Sequence, residues 1–305
     1  MIELLLVLAV SLFVLARASE LVVDNSLVLA NYFKLSELVV GFLLVSVATS
    51  LPELSIAITS LFEHAGSVSA GNVLGANVAD VTMVLGAALV ASSFKISKND
   101  LWKSANLLVL AALAPFLLIF FPGFWTSILL LAVFLAYSIL ALRQKSEKTH
   151  SDVSKRNALF AVFFFAFGVL LLLVSADFVV KNAVALASLM GVSSVIIGAT
   201  IVSIGTTLPE LTVSLQAVRK SNYHLAIGNA VGSTVVNSTL ILGVASFGSL
   251  NLNQNFTVLA VLFLVVAGLV SAILHSTRLD KIKGWVLIAL YVAFLALTMV
   301  LEAVG

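Results

Sequence analysis

Three carboxyl groups stand in otherwise apolar surroundings: Glu53, Asp80 and Glu210. Glu53 closes the run Ser46-Val47-Ala48-Thr49-Ser50-Leu51-Pro52-Glu53, and Glu210 closes Ser203-Ile204-Gly205-Thr206-Thr207-Leu208-Pro209-Glu210. Asp80 ends Gly71-Asn72-Val73-Leu74-Gly75-Ala76-Asn77-Val78-Ala79-Asp80, whose parallel is Gly228-Asn229-Ala230-Val231-Gly232-Ser233-Thr234-Val235-Val236-Asn237. On a helix, Thr49 and Glu53 share a face, as do Thr206 and Glu210. Asn72, Ala76 and Asp80 form one stripe, and Asn229, Ser233 and Asn237 form its partner. Pro52 and Pro209, read as helix-breaking prolines inside helices, cannot donate to the carbonyls of Ala48 and Gly205, which leaves those oxygens free.

Such a set suits a hard cation. With no cysteine in the chain and no histidine beside these motifs, every candidate ligand is an oxygen. Ca²⁺ takes about 6–8 oxygens, which Glu53, Glu210, Asp80, Asn237 and the freed carbonyls can supply, with Thr49 and Thr206 beside the two glutamates. A carboxyl at mid-membrane costs roughly 2.5–3.5 kcal/mol on insertion scales, so three of them call for a function. The alternative, neutral acids that only hydrogen-bond neighbouring helices, makes poor use of a matched pair of glutamates.

The surrounding elements follow from composition. Of 305 residues, 61% are hydrophobic and only 10% charged, which excludes an ordinary water-soluble globule. The long runs are apolar all round rather than alternating, which excludes a barrel. Ten spans fit, at roughly 2–30, 37–62, 67–93, 102–121, 124–142, 157–188, 192–218, 224–249, 256–275 and 283–302. The first, with Ala16-Arg17-Ala18 after an apolar run, mimics a signal peptide. Its acidic start at Glu3 and its counterpart in the second half make it a span instead.

The hydrophilic stretch from Arg143 to Arg156 is rich in Lys and Arg and is therefore expected in the cytoplasm. Counting spans from it puts fourteen of the sixteen Lys and Arg in cytoplasmic loops, with both termini outside the cell. Residues 36–86 match 193–243 at a constant offset of 157, and Glu20 meets Asp177 at the same offset. The chain thus reads as an all-α polytopic protein of the cell membrane. Its ten transmembrane helices form two inverted five-helix repeats, 1–142 and 157–305, around a cytoplasmic linker, 143–156, in one integrated transport domain. An odd number of spans per copy inverts the second, and the site is expected where the halves meet, at broken helices.

At these residues the chain resembles the calcium/cation antiporter superfamily, the sodium/calcium and proton/calcium exchangers. The carrying motifs are Ala48-Thr49-Ser50-Leu51-Pro52-Glu53, Gly205-Thr206-Thr207-Leu208-Pro209-Glu210, Gly71 to Ala76 and Gly228 to Ser233. The resemblance implies exchange of Ca²⁺ for Na⁺ or H⁺ by alternating access, without a cofactor. It makes Glu53 and Glu210 shared central ligands, with Thr49, Ser50, Thr206, Thr207 and Ser233 as supporting oxygens. It also implies that spans 2–30 and 157–188 slide to switch access. Sodium-coupled prokaryotic relatives are similar except for a serine at Ala76 and a reversed placing of the acid and amide found here at Asp80 and Asn237. A lost hydroxyl weakens a Na⁺ site more than a proton site, because a proton needs only a carboxylate. Glu53 and Glu210 are therefore expected to carry protons in competition with Ca²⁺.

Competing readings are a Na⁺/Ca²⁺ exchanger with the same site, a divalent-cation channel using the acids as a selectivity ring, an intramembrane enzyme, and a carrier of an organic solute. The enzyme lacks a nucleophile–base pair or a His-Glu-x-x-His set, and the organic carrier lacks a basic or aromatic pocket. The expected partners are Ca²⁺, H⁺ or Na⁺ and the lipid bilayer. Nothing points to nucleic acid or a protein partner, and the Lys145–Ser154 loop is too short for a large regulatory calcium domain. Arg17 with Glu20 and Lys181 with Asp177 are read as structural ion pairs, with Asp24 beside the first. His64, His150, His224 and His275 are read as solvated at loops and span ends.

Overall fold

The computed structural model describes residues 2–62, 66–93, 96–143, 152–189, 203–247, 254–276 and 279–304. Every element among them is helical: α1 (Ile2–Phe33), α2 (Glu37–Thr49), α3 (Leu51–Phe62), α4 (66–91), α5 (Lys98–Phe120), α6 (Phe124–Leu142), α7 (Lys155–Leu189), α8 (Ser203–Thr206), α9 (Leu208–Arg219), α10 (Tyr223–Ala245), α11 (Gln254–Leu274) and α12 (Lys281–Val304). Eight of the described helices are long and apolar enough to cross a membrane, and the bent pair α2–α3 adds a ninth. The expected span 192–218 lies partly outside the described residues. The chain is a membrane protein.

In a bilayer every backbone polar group must be satisfied within the chain, which is why apolar runs of this length become helices. At 32 and 35 residues, α1 and α7 are longer than the other spans. At ~1.5 Å per residue they exceed the ~30 Å apolar core, so they must tilt or project. They pack along each other, Gly168 of α7 lying against Leu21 and Val22 of α1. The centre is formed by α4 and α10, whose spanning windows are 78% and 94% buried, whereas those of α6 and α12 are 22% buried and face lipid. Small residues let the central backbones approach. A Cβ on Gly228 would stand 2.6 Å from the carbonyl oxygen of Leu38, and one on Gly232 would stand 2.6 Å from Cα of Phe42. Only glycine at these positions allows α10 to lie so close to α2.

The prolines act differently from the expectation. The helix stops at Ser50, and α3 starts at Leu51 with a bend of 48°. Pro52 is therefore the second residue of α3, and Pro209 the second of α9, rather than interruptions inside a helix. First-turn positions need no partner four residues back, so proline fits there and opens the second half of a broken helix. The central helices also depart from regular geometry, widening to π-helix over Asp80–Val84 and Asn237–Ile241. The two widened segments start 157 residues apart, each at a candidate ligand, and such π segments often mark functional positions.

Candidate cation site

The breaks and the central helices bring the polar motifs of both halves together. Thr49, Ser50, Glu53, Asp80, Thr207, Glu210, Asn229, Ser233 and Asn237 are each at most 1% exposed. Ala48, Gly205 and Pro209 are buried, and Pro52, Asn72 and Thr206 are partly so. Asn237 Nδ2 donates to Asp80 Oδ2 at 3.4 Å. These residues are each other's counterparts at the offset of 157 in the sequence. Glu53 and Glu210, counterparts at the same offset, are buried with Asp80. Further contacts cross from half to half: Ser50 Oγ donates to Glu210 Oε1 at 3.2 Å, and Thr49 Oγ1 to Asn229 Oδ1 at 3.2 Å.

The halves are not equally satisfied. Asn229 Nδ2 donates to the Glu210 backbone carbonyl at 3.1 Å and to Ser214 Oγ at 2.9 Å, which holds α10 against α9. The counterpart of Ser214 is Ala57, and Asn72 Nδ2 has no hydrogen-bond partner. Both carboxyl oxygens of Glu53, Glu210 Oε2, Asp80 Oδ1, Asn237 Oδ1 and Ser233 Oγ are likewise buried without one. Buried polar atoms are almost always satisfied, so a cluster of unmatched oxygens is a place where a cation or water completes the set. Among the described residues no three carboxyl or imidazole groups converge as a ready-made metal cage. The available oxygens are a mixture of carboxyl, amide and hydroxyl, as a hard cation accepts.

The family model described as sodium/calcium exchanger protein matches residues 3–143 and 160–300. The chain belongs to the sodium/calcium exchanger family. The sodium/calcium exchanger MaX1 of Methanosarcina acetivorans is 25% identical, covering 95% of this chain and 97% of that one. An uncharacterized membrane protein of Methanocaldococcus jannaschii, MJ0091, is 28% identical over 93% of this chain and 94% of its own. Among solved structures, the sodium-calcium exchanger NCX_Mj soaked with zero Na⁺ and Ca²⁺ superposes with a TM-score of 0.87 at 26% identity. That match covers 97% of this chain and 99% of the other. The family membership expected from the motifs therefore holds, within the calcium/cation antiporter superfamily.

Some residues near this exchanger's site were not singled out from sequence. Ser214 lies four residues after Glu210, a spacing that could have flagged it; Asn77 and Ser238 adjoin Asp80's stripe and Asn237, and Asn77 Nδ2 donates to Ser238 Oγ at 2.8 Å. Away from the site, Arg17 pairs with Glu20 at 3.1 Å and Lys181 with Asp177 at 2.7 Å, as expected. Asp24 instead meets Lys220 at 2.5 Å, and Glu20 reaches the same lysine at 3.4 Å, so this cluster ties α1 to the α9–α10 turn. Burial alone would lower the Lys220 pKa, but Asp24 and Glu20 outweigh it and hold the pKa above the ordinary lysine value. His224 is half-buried rather than solvated, 3.4 Å from Asp100 and 3.9 Å from Glu37. His64 and His150 lie outside the described residues, and His275 is exposed.

Proposed function

We propose that this membrane protein is a secondary antiporter that exchanges Ca²⁺ for H⁺ by alternating access. The observation that carries the reading is the contact of the two halves through Asp80 with Asn237 and Ser50 with Glu210, in a buried cluster that holds oxygens without partners, Glu53's among them. Glu53 and Glu210 bridge the cation, and Asp80, Asn237, Thr49 and Thr206 complete its shell. Ser50, Thr207, Ser233, Asn72, Asn229 and the carbonyls of Ala48 and Gly205 support them. When Ca²⁺ leaves, Glu53 and Glu210 take up protons, which keeps the change in site charge small. No cofactor takes part, and the activity is transport rather than catalysis.

Two five-span repeats, 1–142 and 157–305, joined by the linker 143–156, fit the contact between the counterparts Asp80 and Asn237. In this reading both termini lie outside and the linker is cytoplasmic. Because the chain has no cysteine, single cysteines at Lys145 and at Gln254 would report sidedness by impermeant thiol labelling without background.

Na⁺/Ca²⁺ exchange is the second reading, favoured by MaX1 and NCX_Mj, both named sodium/calcium exchangers. Against it, Ala76 offers no hydroxyl where its counterpart Ser233 does. The deciding test is ⁴⁵Ca²⁺ uptake into proteoliposomes under voltage clamp by ionophore. Uptake driven by an outward proton gradient is expected. Uptake driven by Na⁺ alone would replace the first reading with the second, and dissipation of the Ca²⁺ gradient without coupling would indicate a channel.

A further inference from the structure

We infer that Asn77 is a specificity-determining residue of this site, its amide oxygen serving as a ligand to the divalent cation beside Asp80. The inference rests on the proposed function. Asn77 is fully buried on α4, three residues before Asp80 and so on the same helical face. Its Nδ2 is engaged by Ser238 Oγ at 2.8 Å, which fixes the amide, while Oδ1 is buried without a partner. The next contact along is Asn237 donating to Asp80, so consecutive residues of α10, Asn237 and Ser238, make the two polar ties to α4.

The two halves differ here in a complementary way. The counterpart of Asn77 is Thr234, whose hydroxyl turns back to the carbonyl of Ala230 in its own helix at 3.1 Å. The counterpart of Ser238 is Val81, which has no polar side-chain atom. One position earlier the roles reverse: Ala76 has no hydroxyl, whereas its counterpart Ser233 holds a buried Oγ without a partner. Each half therefore contributes one neutral, unmatched oxygen beside the Asp80–Asn237 pair, Oδ1 of Asn77 from the first and Oγ of Ser233 from the second. An amide oxygen suits Ca²⁺, which accepts carbonyl ligands in irregular shells of about 6–8, whereas Mn²⁺ is met in octahedral sites of about six.

The test is equilibrium ⁴⁵Ca²⁺ binding to the purified full chain in detergent, with Mn²⁺ and Na⁺ as competitors. Asn77→Ala, Asn77→Asp and Ser238→Ala are compared with the unaltered chain. Asn77→Ala is expected to weaken Ca²⁺ binding about tenfold and to move the Ca²⁺/Mn²⁺ preference towards Mn²⁺. Asn77→Asp keeps the shape and an oxygen and adds charge, so it should bind Ca²⁺ at least as tightly and exclude Na⁺ more strongly. Ser238→Ala keeps the Asn77 oxygen but releases the amide that holds it, so it should weaken Ca²⁺ binding less than Asn77→Ala and shift the Ca²⁺/Mn²⁺ ratio in the same direction by less. Equal losses in Asn77→Ala and Ser238→Ala with an unchanged ratio would mean that Asn77 only braces the helices, and the inference fails. Should Asn77→Ala not fold, an Asn77→Asp protein with unaltered Ca²⁺/Na⁺ competition overturns it equally. Absence of Ca²⁺ binding by the unaltered chain would instead overturn the proposed function itself.

Discussion

Replacing Gly232 by alanine tests whether the contact between α2 and α10 holds the site together. The new Cβ would lie 2.6 Å from Phe42 Cα, 2.8 Å from the Phe42 carbonyl oxygen and 3.0 Å from Ser46 Oγ. Carbon atoms rest at about 3.5–4.0 Å, so the helices must part by about 1 Å. Thr49 and Ser50 stand at the end of that same helix, and their bonds to Asn229 and Glu210 are each 3.2 Å. Lengthened by about 1 Å, both pass the ~3.5 Å limit of a useful hydrogen bond. Overpacking costs about 1–3 kcal/mol, and each of the two lost bonds a further ~0.5–1.5 kcal/mol, for a total of roughly 2–6 kcal/mol. At about 2–4 °C per kcal/mol, Tm in detergent should fall by roughly 4–24 °C. The assay is thermal unfolding followed by size-exclusion chromatography, with and without Ca²⁺, and stabilisation by Ca²⁺ should shrink as well. Gly268→Ala is the control, because a Cβ there meets nothing within 4 Å. A Gly232→Ala protein with unchanged Tm and a full response to Ca²⁺ would refute the argument.

Glu53→Gln and Glu210→Gln should each abolish Ca²⁺ transport while leaving folded protein, since either removes a charge from the matched pair; normal proteoliposome flux in one of them would remove that residue from the site. Ala76→Ser restores a hydroxyl opposite Ser233 and should make Na⁺ a stronger competitor of ⁴⁵Ca²⁺ uptake, and unaltered Na⁺ sensitivity would undo the case for protons over Na⁺. Lys220 has a raised pKa in the folded chain, so the stabilisation from its tie to Asp24 and Glu20 is complete below the ordinary lysine value of 10.5 and is lost only as pH climbs through the higher folded value. Lys220→Met should therefore change the transport rate without moving the pH profile between about 6 and 9; a midpoint in that window that disappears with the lysine would contradict this account.

Composition together with runs that are apolar all round was enough for an all-helical membrane protein, because in lipid the backbone is satisfied only by helices or closed barrels, and barrel strands alternate. Periodicity placed Asn229 with Asn237 on α10, since helical spacing determines which residues share a face. The break at Ser50 puts Thr49 on α2 and Glu53 on α3, so the expected shared face of that pair does not hold. The offset of 157 identified the counterparts before any contact was known. Only the tertiary structure decided which faces meet. The contacts of Asp80 with Asn237 and Ser50 with Glu210 join residues 157 and 160 positions apart, and spacing along one helix carries no information about its neighbour. The same gap explains Lys220, whose partners lie on a helix almost two hundred residues away in sequence, and Asn77, whose amide is oriented by a serine of the other half. It also explains the prolines: a proline marks a disturbance in either reading, but whether it interrupts a helix or opens one depends on where the preceding turn ends, which packing at Ser50 and Thr207 settles. Local chemistry thus named most of the oxygens, and the close approach of α2 to α10, made possible by Gly228 and Gly232, determined how they converge.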